Sequence, residues 1–338
     1  MDAAIELPVI DTDALSARYR TAALRLGEGR LLLTDFRGSE QERDLTEPAN
    51  CDGLGRIRHF RRQTSAGWPS NPLPIDPAAK FLGVEPSALL RAQVFQNAVC
   101  NWRCWYCFVP FNLLAAHPGH SRWVTADDLV ELYMKEPVRP PVIDLSGGQP
   151  DLVPEWVPWT MRAVRKHGLE GTVYLWSDDN LSNDYFWRYL RNEDIDLIRS
   201  FRGYGRVGCF KGFDRESFGF NTAAEPDLFD RQFDLIGRLV GLGLDVYAYV
   251  TLTTPSGHGV ADNVARFVDQ LQGVAPLLPL RVVPLEVQVF TPVLARLSPV
   301  RREALVHQQR AVEAWTYELD RRFPAALRDL PIVDVALR

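Results

Sequence analysis

Residues 99–108 read Val-Cys-Asn-Trp-Arg-Cys-Trp-Tyr-Cys-Phe, which places three cysteines, Cys100, Cys104 and Cys107, within eight residues. Three thiolates at spacings of three and two intervening residues can converge on one face of a short loop. Cysteine is the usual ligand of iron–sulfur clusters, and four ligands saturate a cubane cluster. Three ligands leave one iron open, and an open iron can bind a cofactor or substrate directly.

A zinc site is the alternative interpretation of the same cysteines. Structural zinc usually has four ligands, commonly in two pairs. The other two cysteines, Cys51 and Cys209, are distant and single, while His117 and His120 lie close enough in sequence to supply a fourth ligand. The spacing favours an iron–sulfur cluster but does not exclude zinc.

The residues that follow the cysteines alternate between apolar strands and amphipathic helices. Six such units fit between about residues 90 and 292, and this pattern predicts a parallel sheet with crossover helices. Six units are fewer than the eight of a closed TIM barrel. A doubly wound open sheet fits the periodicity almost as well, so the pattern alone does not choose between the two.

Composition limits the class of protein. The 338 residues carry a formal net charge of −5, with 46% hydrophobic and 24% charged residues, so nucleic-acid binding is not expected. No apolar run approaches the length of a transmembrane helix, and the start, Met-Asp-Ala-Ala-Ile-Glu, lacks the features of a signal peptide. An odd number of cysteines argues against a disulfide framework, so we expect a cytoplasmic protein.

The cysteine motif resembles the signature of the radical S-adenosylmethionine (SAM) superfamily, Cys-x3-Cys-x-aromatic-Cys, with Tyr106 as the aromatic residue. The resemblance implies an α/β fold, a partial (β/α)6 TIM-type barrel, over residues 89–292. Residues 1–88 would form an N-terminal extension, and residues 293–338 a C-terminal helical segment. Within the superfamily, the core is most similar to the compact activase-like branch.

The resemblance also implies the cofactors and the reaction class. A [4Fe–4S] cluster on Cys100, Cys104 and Cys107 would bind SAM and cleave it reductively to a 5′-deoxyadenosyl radical, which abstracts a hydrogen atom from the substrate. A flavodoxin or ferredoxin-type donor would supply the electron, because the chain has no nicotinamide-binding fingerprint.

Further SAM contacts are implied at the ends of the strands. In the superfamily, a glycine-rich motif after the second strand helps to bind the SAM amino group, and the matching residues here are Gly147, Gly148 and Gln149. Polar residues after later strands are further candidates, as is the aromatic residue of the motif: Ser177, Asp178, Asn180, Lys211 and Tyr106. An ordinary turn, helix capping and a surface lysine are the structural alternatives for these residues.

The sequence does not identify the substrate or the catalytic residues. A small molecule or a peptide is the first expectation, a partner glycyl-radical enzyme activated by this chain is the second, and a structural metal-binding protein is the third. The locally basic segment 56–62 could recognise a phosphate or carboxylate of the substrate, or it could be a solvated surface. We expect this segment to lie near the opening of the barrel.

Overall fold

The computed structural model describes residues 8–337. It contains ten strands, which are β1 (Leu24–Arg25), β2 (Arg30–Thr34), β3 (Gly55–Arg61), β4 (Leu89–Phe95), β5 (Ser121–Thr125), β6 (Val142–Leu145), β7 (Tyr174–Asp179), β8 (Tyr204–Phe210), β9 (Val246–Thr251) and β10 (Val282–Leu285). The α-helices are α1 (Thr12–Ala23), α2 (Ile75–Leu82), α3 (Ala126–Lys135), α4 (Trp156–Lys166), α5 (Tyr185–Tyr189), α6 (Asn192–Ser200), α7 (Arg215–Thr222), α8 (Arg231–Gly241), α9 (Val260–Val274), α10 (Thr291–Leu294), α11 (Pro299–Arg322) and α12 (Ala325–Arg328).

Seven strands form the main sheet, in the order β10-β9-β8-β7-β6-β4-β3. Strands β4, β6, β7, β8, β9 and β10 pair in parallel, and β3 pairs antiparallel with β4 at one edge. Strand β5 belongs to a separate sheet with β1 and β2. The mixed α/β architecture with a curled half-barrel sheet is consistent with the partial TIM-type barrel expected from the sequence. The seventh, antiparallel strand was not expected, because it comes from residues 1–88.

The two faces of the sheet bury different side chains, since successive residues of a strand point to opposite sides. The inner face packs aromatic and small residues from the middle of the strands, among them Trp176, Val207 and Tyr247. The outer face packs aliphatic residues against the crossover helices.

Helix α3 begins after Thr125, whose hydroxyl accepts a hydrogen bond from the backbone N–H of Asp128 in a capping box.

Residues 8–88 do not form a separate layer. Helix α1 packs beside the cysteine loop, β2 pairs with β5, and β3 enters the main sheet. Helix α2 lies at the opposite end of the barrel, where Ile75 and Ala78 join the inner core. Residues 8–88 therefore supply one strand of the core sheet itself, and the division of the chain at residue 88 stays a prediction.

Two further expectations concern membranes and export. Within residues 8–337, no helix is long and apolar enough to cross a membrane. The expectation that the chain starts without a signal peptide rests on residues 1–6, which lie outside the described residues.

Candidate metal and cofactor site

The cysteine loop follows β4 and lies at the carboxyl end of the parallel strands. Val99 and Gln149 pair through their backbones at 2.8 Å, which ties the loop to the turn after β6. On the other side, Tyr106 Oη lies 2.9 Å from Thr251 Oγ1 at the end of β9. The loop therefore spans the mouth of the half-barrel, the face on which barrel enzymes place their active sites.

Helix α1 and helix α7 brace the loop from outside. The indole N–H of Trp102 donates to Thr12 Oγ1 at 3.1 Å, and that of Trp105 donates to Asn221 Oδ1 at 3.0 Å. Both indoles are buried. Because buried indole N–H groups need acceptors, these bonds fix the loop backbone between the cysteines. The tryptophans pack, as the sequence suggests, and have no evident chemical role.

The spacing of the three sulfur atoms tests the zinc alternative. Among residues 8–337, the only three potential ligand side chains whose ligand atoms all lie within 4.8 Å of one another are Asp127, Glu131 and His167. At least one pair among the sulfur atoms of Cys100, Cys104 and Cys107 is therefore more than 4.8 Å apart. Sulfurs around one tetrahedral zinc lie about 3.8 Å apart, as Zn–S bonds of about 2.3 Å require. The separation fits a larger cluster better than a single ion.

The burial of the three thiols fits metal binding at this loop. Cys100 is buried, whereas Cys104 and Cys107 are half-buried. Burial raises the pKa of the Cys104 thiol to about 12, although the nearby Lys211 opposes this shift, and burial also raises the pKa of Cys107. Deprotonated sulfur at these positions therefore needs positive charge beside it, which a bound metal ion or an iron–sulfur cluster would supply.

The glycine-rich turn after β6 lies directly against the cysteine loop. Gly147 and Gly148 have φ values of +81° and +64°. A Cβ atom on Gly148 would clash with the carbonyl oxygens of Asn97 and Val99. The sequence interpretation assigned these glycines to the approach of SAM. The structure shows that Gly148 is needed first for the close contact with the chain that leads to Cys100.

Gln149 is fully buried in a hydrogen-bond network rather than exposed to a ligand. Its Nε2 donates to Asp179 Oδ1 at 2.9 Å, and its Oε1 accepts from the backbone N–H of Asn180 at 3.0 Å. Both ends of the Gln149 amide thus make internal hydrogen bonds, and its expected bond to the SAM amino group stays a prediction. Gln149 positions Asn180, which is itself a candidate ligand of SAM.

Asn180 lies next to the first cysteine. Its Nδ2 is 3.9 Å from Cys100 Sγ and donates to Asn101 Oδ1 at 3.0 Å. Its Oδ1 is buried and has no hydrogen-bond partner among residues 8–337. A buried acceptor without a partner is costly, so this oxygen is the clearest polar group available to a bound cofactor.

A buried ion cluster supports this network from below. Arg206, which is fully buried, pairs with Asp151 and donates to Asp179 Oδ2 at 2.8 Å. Asp179 in turn binds Gln149 and the backbone N–H of Leu181. The sequence analysis did not identify Arg206 as a residue of the site. An arginine in an apolar strand next to Val207 is the signal that could have identified it.

The three remaining candidates fall on two faces of the sheet. Ser177 points to the outer face, where its Oγ lies 2.7 Å from Tyr204 Oη, so the structure does not bring it to the site. Asp178 and Lys211 point inward by the alternation of β7 and β8. The sequence interpretation placed Ser177 and Asp178 after the strand, but both belong to β7, and alternation separates them.

The inner face near the mouth carries charges that the sequence interpretation did not connect. Arg58 Nη1 lies 3.5 Å from Asp144 Oδ2 and 3.9 Å from Asp178 Oδ2. Burial, followed by the charge of Asp178, raises the pKa of Asp144 to about 7, and burial also raises the pKa of Asp178. Arg61 ends β3 at the side away from the mouth, and Arg62, which follows it, pairs with Asp76. Only the first part of the basic segment thus reaches the mouth.

The chain has weak similarity to known proteins. No family model matches it. It is 24% identical over 199 residues to the 7-carboxy-7-deazaguanine synthase of Methanothermobacter thermautotrophicus, a match that covers 56% of this chain and 75% of the relative. This similarity supports an enzyme of the radical SAM type and leaves its reaction unspecified.

Two solved structures show more distant likeness. Streptococcus suis SuiB bound to S-adenosylmethionine matches with 12% identity and a TM-score of 0.43, over 67% of this chain and 47% of SuiB. TYW1 with a lysine–pyruvate adduct bound matches with 13% identity and a TM-score of 0.37, over 67% of this chain and 84% of TYW1. The matches thus span less than half of the length of SuiB.

Proposed function

We propose that this chain is a radical SAM enzyme in which Cys100, Cys104 and Cys107 bind a [4Fe–4S] cluster with one open iron. The observation that carries the proposal is the cysteine loop across the mouth of the half-barrel, with three sulfurs that do not all lie within 4.8 Å of one another. The cluster and SAM would supply one-electron reductive cleavage and an acceptor for a hydrogen atom from the substrate.

The side chains around the loop would bind and orient SAM. Asn180 Oδ1 is the acceptor we assign to a donor group of SAM, because it is buried, unpartnered within residues 8–337 and adjacent to Cys100. The network from Arg206 through Asp179 and Gln149 holds Asn180 in place. Tyr106, Gly147 and Lys211 remain proposed SAM contacts. Asp178 faces the substrate side of the mouth.

The substrate and the electron donor belong to the same proposal. The substrate would be a small molecule or a peptide that enters at the mouth of the barrel, and a flavodoxin or ferredoxin would dock briefly beside the cysteine loop. Activation of a partner glycyl-radical enzyme rests on the motif alone and stays an alternative prediction.

The direct test is cleavage of SAM by the reduced, iron-loaded chain without substrate. We expect slow release of 5′-deoxyadenosine and methionine, loss of this reaction in Cys104→Ala, and its retention in Cys209→Ala. Cys209 is the matched control because it is a buried cysteine of the inner core. Intact SAM after incubation with reduced wild-type protein that contains iron would reject the proposal.

A further inference from the structure

Arg56 is a buried arginine at the mouth of the barrel whose side chain has no polar partner among residues 8–337. It is the second residue of β3 and faces inward, and only 6% of its surface is exposed. Its Nε and Nη2 atoms are buried and make no hydrogen bond to any described residue, 8–337. Burying a guanidinium without acceptors is strongly unfavourable, so its retention needs an explanation other than stability.

No carboxylate among residues 8–337 pairs with Arg56, although the charges of Asp144 and Asp178 act on it from a distance. Asp144 and Asp178 instead pair with Arg58, two residues along the same strand. Its Nη1 lies 3.5 Å from Asp144 Oδ2 and 3.9 Å from Asp178 Oδ2. Burial, followed by repulsion from Arg58, lowers the pKa of Arg56 to about 10, which still leaves it protonated at neutral pH. Phe108 lies with its ring centroid 5.2 Å from Arg56 Cζ, which fixes the plane of the guanidinium beside the cysteine loop.

Arg56 is separated along the sheet from Asn180, the acceptor assigned to SAM. Arg56 is on β3, whereas Asn180 follows β7, and β4 and β6 separate the two strands. Three strand spacings of about 4.8 Å place them roughly 14 Å apart along the sheet. The two unpartnered nitrogens of Arg56 therefore lie on the β3 side of the mouth, beside the cysteine loop, whereas Asn180 lies on the β7 side.

We propose that Arg56 binds a carboxylate or phosphate group of the substrate and thereby orients it at the mouth of the barrel. That a substrate binds here rests on the function proposed above. The Nε and Nη2 groups of Arg56 form one edge of a planar guanidinium, which matches two oxygens of one oxyanion. Asp144 Oδ1 and Asp178 Oδ1 are also buried and unpartnered among residues 8–337. They can accept hydrogen bonds from N–H or O–H groups of the same molecule.

The test compares Arg56→Met with Arg61→Met in the full, iron-loaded chain. Arg61 is the matched control because it is exposed on the same strand. In sodium chloride, Arg56→Met should melt about 2 °C or more above wild type, since an unpaired buried charge is removed. Arg61→Met should melt like wild type. A lower melting temperature for Arg56→Met would indicate a structural role and overturn the proposal.

The anion is tested with acetate and with inorganic phosphate at ionic strength matched by chloride. Wild type and Arg61→Met should melt higher in one of the two anions, and Arg56→Met should lose that rise. A rise in acetate identifies a carboxylate, and a rise in phosphate identifies a phosphate group. A rise that persists in Arg56→Met, or no rise in wild type, would overturn the proposal. Arg56→Lys, which keeps the charge without the planar fork, should show a reduced rise and serves if the Met variant does not fold.

Equilibrium dialysis with SAM separates this proposal from the function on which it rests. Arg56→Met should bind SAM as wild type does. SAM binding weakened tenfold or more would mean that Arg56 binds the carboxylate of SAM, which contradicts the proposal. If wild-type protein neither binds nor cleaves SAM, the radical SAM function fails, whereas the anion-dependent melting still reports on Arg56.

Discussion

Arg296 donates hydrogen bonds to the carbonyl oxygens of Cys107 and Val109, at 2.6 and 3.0 Å. It belongs to the C-terminal segment, nearly 200 residues after the cysteine loop. Its guanidinium also stacks on Phe111, with Cζ 3.6 Å from the ring centroid. The C-terminal segment thus fixes the backbone that carries the last cysteine.

The first prediction follows from these two bonds. Arg296→Met should lower the free energy of unfolding by about 1–3 kcal/mol, the usual loss for hydrogen bonds from a charged group. Iron should also leave the chain faster on dilution into a chelator. Arg302→Met, an exposed arginine on α11, should change neither quantity. Equal iron release from both variants would show that Arg296 does not hold the loop.

Gly148 gives the second prediction. Gly148→Ala places a Cβ 2.5 Å from Asn97 O and against Val99 O, in addition to the strain of a φ of +64°. The loop must shift, so we expect loss of iron and a drop in melting temperature. Gly168→Ala is the matched control, because Gly168 has a φ of +68° but no atom within 4 Å of the added Cβ.

The control isolates the cost of backbone strain. Gly168→Ala should cost about 1–2 kcal/mol from the left-handed conformation alone and should keep its iron. If the two variants melt alike and both retain iron, the close contact of Gly148 with the cysteine loop is unimportant.

Asp144 gives a prediction about pH. Its folded-state pKa is raised to about 7 by burial and by Asp178, against the opposing effects of Arg58, Arg56 and Ser146. An unfolded aspartate titrates near 3.9. Between these values the folded chain binds more protons than the unfolded chain, so stability falls as pH rises through this window.

Removing the titrating group should flatten this dependence. Between about pH 4 and about pH 7, the free energy of unfolding should fall less in Asp144→Asn than in wild type, by about 2–4 kcal/mol. Melting temperatures across this range measure the effect. Asp262→Asn, an exposed aspartate in the first turn of α9, should follow wild type. Parallel pH curves for Asp144→Asn and wild type would contradict the assignment of the shift to Asp144.

The sequence predicted those parts of the fold whose patterns are long and regular. The apolar run 142–145 predicts β6 and the helical stripe 156–166 predicts α4, both with the observed bounds. Predicted elements at 172–176, 185–190, 206–210, 227–240, 244–252 and 259–271 lie within a few residues of β7, α5, β8, α8, β9 and α9, whereas α6 and α7 were not predicted. These elements carry continuous apolar runs or clear helical stripes, which are strong signals. The cysteine spacing located the loop at the carboxyl end of the sheet without any further information.

The missed elements have physical reasons. Strand β3 alternates as Arg56, Ile57 and Arg58, but here the charged residues face the barrel interior, so the binary pattern suggested a solvated segment. Helix α1 buries Thr12, Ser16, Tyr19 and Ala23 at helical spacing, and half of this stripe is polar because it serves the cysteine loop through hydrogen bonds.

Individual residues of the candidate site could be predicted only where they belong to a recognisable sequence motif. Gln149 was found by its place in the glycine-rich turn, but its partner Asp179 and the supporting Arg206 come from other strands. Long-range hydrogen-bond partners leave no local signal in a single sequence. Arg56 was visible as part of a basic segment, yet only the tertiary structure shows that it is buried and unpartnered.

The metal content of the anaerobically reconstituted chain tests the central claim most directly. We expect about four irons per chain, as for a [4Fe–4S] cluster, with negligible zinc. Cys100→Ala, Cys104→Ala and Cys107→Ala should each lose the cluster, while Cys51→Ala and Cys209→Ala should retain it. One zinc per chain in place of iron, or full iron content in Cys104→Ala, would contradict the account.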